Sequence, residues 1–362
     1  MRVGFSGFYL DSSGYGEMTR RMLLALESTE GLDCTPAAIL ADGGWQVPAP
    51  PTLKQFLSKV RIGAPDVHLI NVAGADLPKI WPKDIPEFTR RVGMMCWETD
   101  RLHPAVLEGL RTVERVIVPS QHNLEVLERA GIKATCVPIP VELPTYIDDS
   151  PFASIEELKE DTFVFYSMLT WQERKNPLKL ISAYCNAFTD QDNVLLVLKI
   201  SGPDADKAAR AGSQAVESIL NIMSLRDAPR ILVLGGQWLA PSIWAFHDRG
   251  DCYVSLAKGE AYAIPMLDAA AIGNRVIATG WGGHVDFLPK ETSRLIPYRM
   301  EPVLQKYSHF DGRQCWAEPD VLAAAALMRA EYEVGRQPKI RPDLTHLLPY
   351  VVGTKLLEAL HA

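Results

Sequence analysis

Gly259-Glu260-Ala261-Tyr262-Ala263-Ile264-Pro265-Met266-Leu267-Asp268-Ala269-Ala270-Ala271-Ile272-Gly273-Asn274-Arg275-Val276-Ile277-Ala278-Thr279 decides how this chain is read. A loop of small residues carries one carboxylate, Glu260. Eight positions later a second, Asp268, stands on the first turn of an Ala-rich helix. Gly273 closes that helix and a strand with a buried pattern follows. Low side-chain bulk lets a ligand reach backbone N–H groups, and the helix start adds the positive end of a dipole. Two acids beside such a loop suit a polyhydroxylated ligand better than a bare anion.

The same alternation extends in both directions. Before residue 140, apolar runs at 3–8, 34–40, 67–72, 91–96, 115–118 and 135–138 predict short buried strands, with helices over 15–26 and 121–129, the second capped by Ser120. Four prolines and Asp148-Asp149 between 138 and 152 break the rhythm. A second series follows, with strands at 162–168, 194–200, 230–234, 252–255, 275–278 and 294–296, and helices at 177–188, 205–224, 240–247 and 265–272. Short apolar strands separated by helices mean parallel α/β sheets. The expected architecture is therefore two doubly wound, Rossmann-like domains facing across a cleft. Residues 1–145 form the first and 161–340 the second; 146–160 is the linker. A last helix within 341–362 packs back on the first domain.

At 362 residues the chain is long enough for two cores, and a net charge of −7 supplies no basic field for nucleic acid or anionic lipid. Cys34, Cys96, Cys136, Cys185, Cys252 and Cys315 are scattered without a C-x-x-C pair, the pattern of buried reduced thiols. No apolar run has the length of a signal peptide core or a membrane span. The expectation is a soluble, cytoplasmic protein; docking at a membrane surface through a small patch stays open.

Two further loops complete the pattern. Ser12-Ser13-Gly14-Tyr15-Gly16-Glu17 follows the opening strand and enters a helix, so its glycines let N–H groups approach a phosphate. Met168-Leu169-Thr170-Trp171-Gln172-Glu173-Arg174-Lys175-Asn176-Pro177 follows the first strand of the second domain, with Pro177 suited to a first helical position. Two cations beside a positive helix end repel unless an anion fills the gap, and a diphosphate supplies that charge. Asp204-Ala205-Asp206 spells the D-x-D of metal-dependent transferases but sits where a helix cap belongs, so no metal is expected.

In this order, at these strand ends, the three loops resemble the retaining nucleotide-sugar glycosyltransferases of family 4, which have the GT-B fold. Val116-Ile117-Val118-Pro119-Ser120, Val137-Pro138-Ile139-Pro140-Val141, the strands at 230–235 and 251–255, and Gly282-Gly283 extend the resemblance over most of the chain. The family's E-x7-E motif reads here Glu260-x7-Asp268, and Tyr262 stands where Phe is frequent. The resemblance implies Arg174, Lys175 and Glu260 as catalytic residues, the cations on the diphosphate and Glu260 on sugar hydroxyls. It implies donor binding by Gly14, Tyr15 and Gly16, by Gly236, Gln237, Trp238 and Leu239 around the base, by Ala261, Tyr262, Ala263 and Ile264, and by Asp268 on the ribose.

On the acceptor side, Glu98, Asp100, His103 and Asn71 follow first-domain strands. The implied reaction moves a sugar from a UDP- or GDP-sugar to a hydroxyl of a glycan, lipid-linked sugar, metabolite, protein or hydroxymethylated DNA base, with no cofactor beyond the nucleotide sugar itself. Acidity disfavours DNA, although Arg90, Arg91, Arg101, Arg111 and Arg115 offer a local basic rim. The alternatives are a nucleotide-sugar epimerase or hydrolase of the same architecture and a silent nucleotide-sugar-binding protein.

Overall fold

The computed structural model describes residues 1–39, 54–55, 58, 64–81, 85–144, 146–148, 155, 161–202, 204–304 and 309–362. The first domain runs β1 (Arg2–Gly7), α1 (Gly14–Glu27), β2 (Asp33–Ala38), β3 (Val67–Asn71), α2 (Leu77–Ile80), β4 (Arg90–Met94), α3 (Pro104–Leu110), β5 (Arg115–Val118), α4 (Gln121–Arg129) and β6 (Ala134–Cys136). Its strands form a six-stranded sheet in the order β2-β1-β3-β4-β5-β6, parallel throughout.

The second domain runs β7 (Phe163–Leu169), α5 (Pro177–Ala187), β8 (Val194–Ile200), α6 (Ala205–Ile222), β9 (Arg230–Leu234), α7 (Ala240–Arg249), β10 (Cys252–Ser255), α8 (Ile264–Ala271), β11 (Arg275–Thr279) and β12 (Ser293–Ile296). Its six-stranded parallel sheet has the order β12-β11-β10-β7-β8-β9. Counted from β7, this is the doubly wound 3-2-1-4-5-6 order, with its switch point between β7 and β10. Ligands bind outside the carboxyl ends of strands at such a point, because the loops there diverge to opposite faces.

The central strands are covered on both faces; all seven residues of β8 are buried. Every strand expected from the apolar runs is present. The antiparallel hairpin β13 (Tyr298–Pro302) with β14 (Cys315–Pro319) is an addition. No residue of β13 is buried, so no hydrophobic run marks it. Helix α9 (Val321–Val334) follows the hairpin, and α10 (Pro349–His361) ends the chain.

Val352, Leu356 and Leu360 of α10 share a core with Met22, Leu26 and Ala25 of α1, and Arg90 Nη1 donates to Leu360 O at 2.7 Å. Of the linker expected at 146–160, only 146–148 and 155 lie within the described residues. All six cysteines are free thiols. No described helix is long and apolar enough to cross a membrane.

Candidate functional site

The switch point of the second sheet brings the two loops of interest together. β7 leads into residues 170–176, which end on Asn176 in the left-handed region (φ 54°) before Pro177 opens α5. β10 leads into 256–263, which end on Ala263, also left-handed (φ 71°), before α8. Lys175 Nζ lies 2.6 and 2.8 Å from the Glu260 carboxylate oxygens. Arg174 Nη1 donates to Gly259 O at 2.7 Å and sits 3.4 Å from Glu260 Oε2. Its Nη2 is 3.4 Å from Glu98 Oε1, which follows β4 of the first domain.

Glu98, Arg174, Glu260 and Lys175 thus alternate in charge from one domain to the other. Burial acts against ionised Glu260, but Lys175 and Arg174 hold its carboxyl below the usual range. Burial keeps the Lys175 ammonium below its ordinary value although Glu260 draws it up, and Arg174 adds to the depression. The Glu260 backbone is fixed as well, its carbonyl accepting from Gly283 N at 2.7 Å.

Close approach explains the small residues around it. A Cβ on Gly259 would lie 2.1 Å from Glu98 O, so only glycine lets the β10 loop press on the first domain. Ser120, the N-cap of α4, donates to Ala261 O at 2.8 Å. Tyr262 is buried with its hydroxyl on Ile139 O at 3.0 Å. The side chain of Tyr262 and the carbonyl of Ala261 therefore serve the domain interface.

Between the domains lies a cleft of about 290 Å³. Gly14, Ser12 and Ser13 border it from the first domain; Lys175, Gly236–Leu239, Ile264 and Asp268 border it from the second. Gly14 is the one member of its triplet there. Tyr15 reaches Cys96 O at 3.3 Å, and a Cβ on Gly16 would fall 2.0 Å from Asp11 O, so that glycine seats α1 on the preceding turn.

Asp268 has a different setting from the one the motif suggests. Arg21 of α1 grips it, Nη1 to Oδ1 at 2.8 Å and Nη2 to Oδ2 at 2.7 Å, with both side chains buried. Arg21 Nε also donates to Glu17 Oε1 at 2.7 Å, and Arg20 binds Glu17 Oε2 at 2.8 Å. Burial raises the Asp268 carboxyl to about 6 against the pull of Arg21. Burial alone would raise Glu17 too, yet Arg21 and Arg20 bring it to about 2.

The acceptor-side candidates separate. Glu98 stands in the charge chain. Asn71 is buried, its amide donating to Thr19 Oγ1 at 2.8 Å, and braces β3 on α1. Asp100 Oδ1 accepts from Cys315 N at 2.6 Å and ties the first domain to β14. His103 caps α3 through Nδ1, accepting from Ala105 N at 3.2 Å. Asp204 caps α6, accepting from Lys207 N at 2.9 Å. Among the described residues no group of three His, Cys, Asp or Glu side chains is placed to hold a metal ion.

Sequence reasoning passed over Arg21, Lys199 and His247, which also border the cleft. The signal exists for the first two. Arg21 falls on the buried stripe Met18-Met22-Ala25 of α1, and Lys199 interrupts an otherwise apolar strand. His247 needs the tertiary structure. Asn274 Nδ2 donates to His247 O at 2.6 Å and to Tyr166 Oη at 2.6 Å. The Tyr166 hydroxyl lies 3.0 Å from His247 Nδ1. Burial pushes this imidazole down to about 3.

No protein-family model and no curated protein sequence matches the chain. Solved structures do. The lipopolysaccharide outer core galactosyltransferase WaaB is similar over 100% of this chain and 99% of its own, with a TM-score of 0.64 and 12% identity. Sucrose-phosphate synthase from Thermosynechococcus elongatus is similar over 99% and 94%, with a TM-score of 0.61 and 15% identity. The fold is GT-B. S. aureus TarM, solved with UDP, has a TM-score of 0.50 at 12% identity over 81% of this chain, which spans about half (51%) of TarM. The cleft between the two sheets is bounded here by Gly14, Lys175, Trp238 and Asp268.

Proposed function

We propose that this protein is a retaining glycosyltransferase that moves a sugar from a nucleotide diphosphate sugar to a hydroxyl acceptor. The observation that carries this reading is the convergence of Arg174 and Lys175 on Glu260 at the β7–β10 switch point, beside the interdomain cleft. Two cations here suit a diphosphate, and a buried carboxylate between them suits sugar hydroxyls. The GT-B fold, and the UDP present in the similar TarM structure, support the ligand class.

In this reading the bond between the anomeric carbon and the phosphate oxygen breaks, and its electron pair goes to that oxygen. Arg174 and Lys175 stabilise the charge that grows there. The acceptor oxygen bonds the anomeric carbon on the same face, and its proton passes to the departing phosphate. Glu260 orients the donor sugar through its hydroxyls, and Glu98 faces the acceptor side. The chemistry needs no metal in this scheme, and activity should survive EDTA. The acidic chain, with a net charge of −7, favours a small or glycan acceptor over DNA, and we assign it to the cytoplasm.

A screen of UDP-glucose, UDP-galactose, UDP-N-acetylglucosamine and GDP-mannose tests the reading, first by thermal shift and then by release of UDP or GDP. A donor at 100 times its Kd raises stability by about 2.7 kcal/mol. Proton NMR of the product then reports the anomer. Absence of any shift and any turnover across the panel would remove the proposal; an inverted product would remove retention alone.

A further inference from the structure

Among the described residues, one cation of the cleft has no counter-charge. Arg20 is bound to Glu17, Arg21 to Asp268 and Glu17, and Lys175 to Glu260. Lys199 differs. It is 5% exposed, in a strand otherwise made of Val, Leu and Ile. Its Nζ donates to Ser201 Oγ at 3.0 Å and lies 5.3 Å from the centroid of the Trp238 ring. No carboxylate among the described residues forms an ion pair with it, and burial alone depresses its pKa to about 8. An ammonium carries three donors. Ser201 accepts one and the ring faces the charge on another side. At least one N–H is left for something that enters the cleft, and a buried unpaired charge is costly unless such a partner arrives.

Its position along the sheet says which part of a ligand that is. Lys199 pairs in register with Met168 of β7 and Leu234 of β9. Neighbouring strands lie about 4.8 Å apart. β10 leads to Glu260, β7 leads to Lys175, β8 carries Lys199, and β9 leads to Gly236–Leu239. A nucleotide sugar laid with its sugar at Glu260 and its diphosphate at Lys175 brings its base over β8 and β9.

We infer that Lys199 reads the base of the nucleotide, its Nζ donating to the ring carbonyl of a lactam base, uracil or guanine, with Trp238 beside that base. Cytosine and adenine carry an amino group where uracil has O4 and guanine has O6, so they set donor against donor and leave the ammonium unpaired. A site built to bond an oxygen rejects the analogue that lacks it more strongly than an apolar pocket does. This inference rests on the nucleotide-sugar reading above and names the chemistry that selects the donor.

Calorimetric titration of UDP, CDP, GDP and ADP into the wild-type protein and Lys199→Met tests it. The pairs UDP with CDP, and GDP with ADP, isolate the oxygen. We expect at least one lactam nucleotide to bind roughly tenfold or more tightly than its amino counterpart in the wild type. In Lys199→Met that ratio should fall below about threefold, through loss of the lactam nucleotide alone. Equal binding within both pairs in the wild type would overturn the inference, and that arm does not depend on the variant's folding. Equal loss of all four nucleotides in Lys199→Met would also overturn it, by assigning Lys199 to the phosphates. Wild-type protein that binds none of the four would instead refute the nucleotide-sugar reading itself.

Discussion

Arg21 and Asp268 meet as a planar fork against a carboxylate, at 2.8 and 2.7 Å, although they are 247 positions apart and belong to different domains. Removing one partner of a buried pair leaves the other charged and dehydrated, at a cost of about 3–5 kcal/mol. Asp268→Ala should lose stability on that scale in urea unfolding. The double variant Arg21→Met with Asp268→Leu should recover most of it, since apolar replacement of a buried pair is often neutral. A loss of under about 1 kcal/mol in the single variant would show that the pair does not clamp the domains.

Arg174 holds the β10 loop through Gly259 O and faces both Glu260 and Glu98. If it stabilises the departing phosphate, Arg174→Ala should lower kcat by roughly a hundredfold or more, the range for loss of one preorganised donor, about 2.7–4 kcal/mol. Turnover near the wild-type value, measured with whichever nucleotide sugar the screen identifies, would exclude that role.

Glu17 should contribute a distinct arm to acid unfolding. Its folded-state pKa, about 2, lies below the ordinary 4.5 because Arg21 and Arg20 outweigh burial. A depressed carboxyl contributes stability that is fully present above pH 4.5 and is lost as pH falls through about 2. Glu142, the neighbouring acid, is shifted upward by burial and by Glu17, so it does not share this arm. Glu17→Gln should flatten the melting-temperature profile over that window while other carboxylates keep their slopes. An unchanged slope would mean that Glu17 is already solvated.

Lys199 predicts a trade between stability and binding. Its folded pKa of about 8 lies below the ordinary 10.5, so the ammonium destabilises the fold at pH 7 and that penalty lifts as pH rises from 8 to 10.5. The depression corresponds to roughly 3 kcal/mol. Lys199→Met without ligand should melt higher than the wild type at pH 7 by part of that amount. A lower melting temperature would show that the ammonium is already satisfied inside the protein.

Tyr262 offers a contrast at the same loop. Its hydroxyl serves Ile139 O across the interface, so Tyr262→Phe should cost about 1 kcal/mol of stability and leave the affinity for nucleotide unchanged. A change in nucleotide affinity with no change in melting would place the ring in the ligand site after all.

The chain's local patterns were enough for the fold. Apolar runs of four to seven residues, set between helical spacings, could pair only as buried parallel strands, and β1, β3, β5, β7, β8, β10 and β11 fall where those runs lie. They also pointed to Arg174, Lys175 and Glu260, three residues on two separate loops that the structure brings into contact at one sheet edge. They did not mark β13, whose exposed residues carry no periodic signal, or the setting of Asp268.

Spacing along the sequence places Asp268 on α8 but says nothing of α1, so its partner Arg21 was decided only when the two domains met. The same holds for Gly16 and Tyr15, whose contacts with Asp11 and Cys96 the loop sequence does not announce. Secondary structure follows from periodicity within a few residues. Which polar group is neutralised, and which, like Lys199, keeps a donor unspent, depends on what stands across the cleft, and that is a property of the tertiary structure alone.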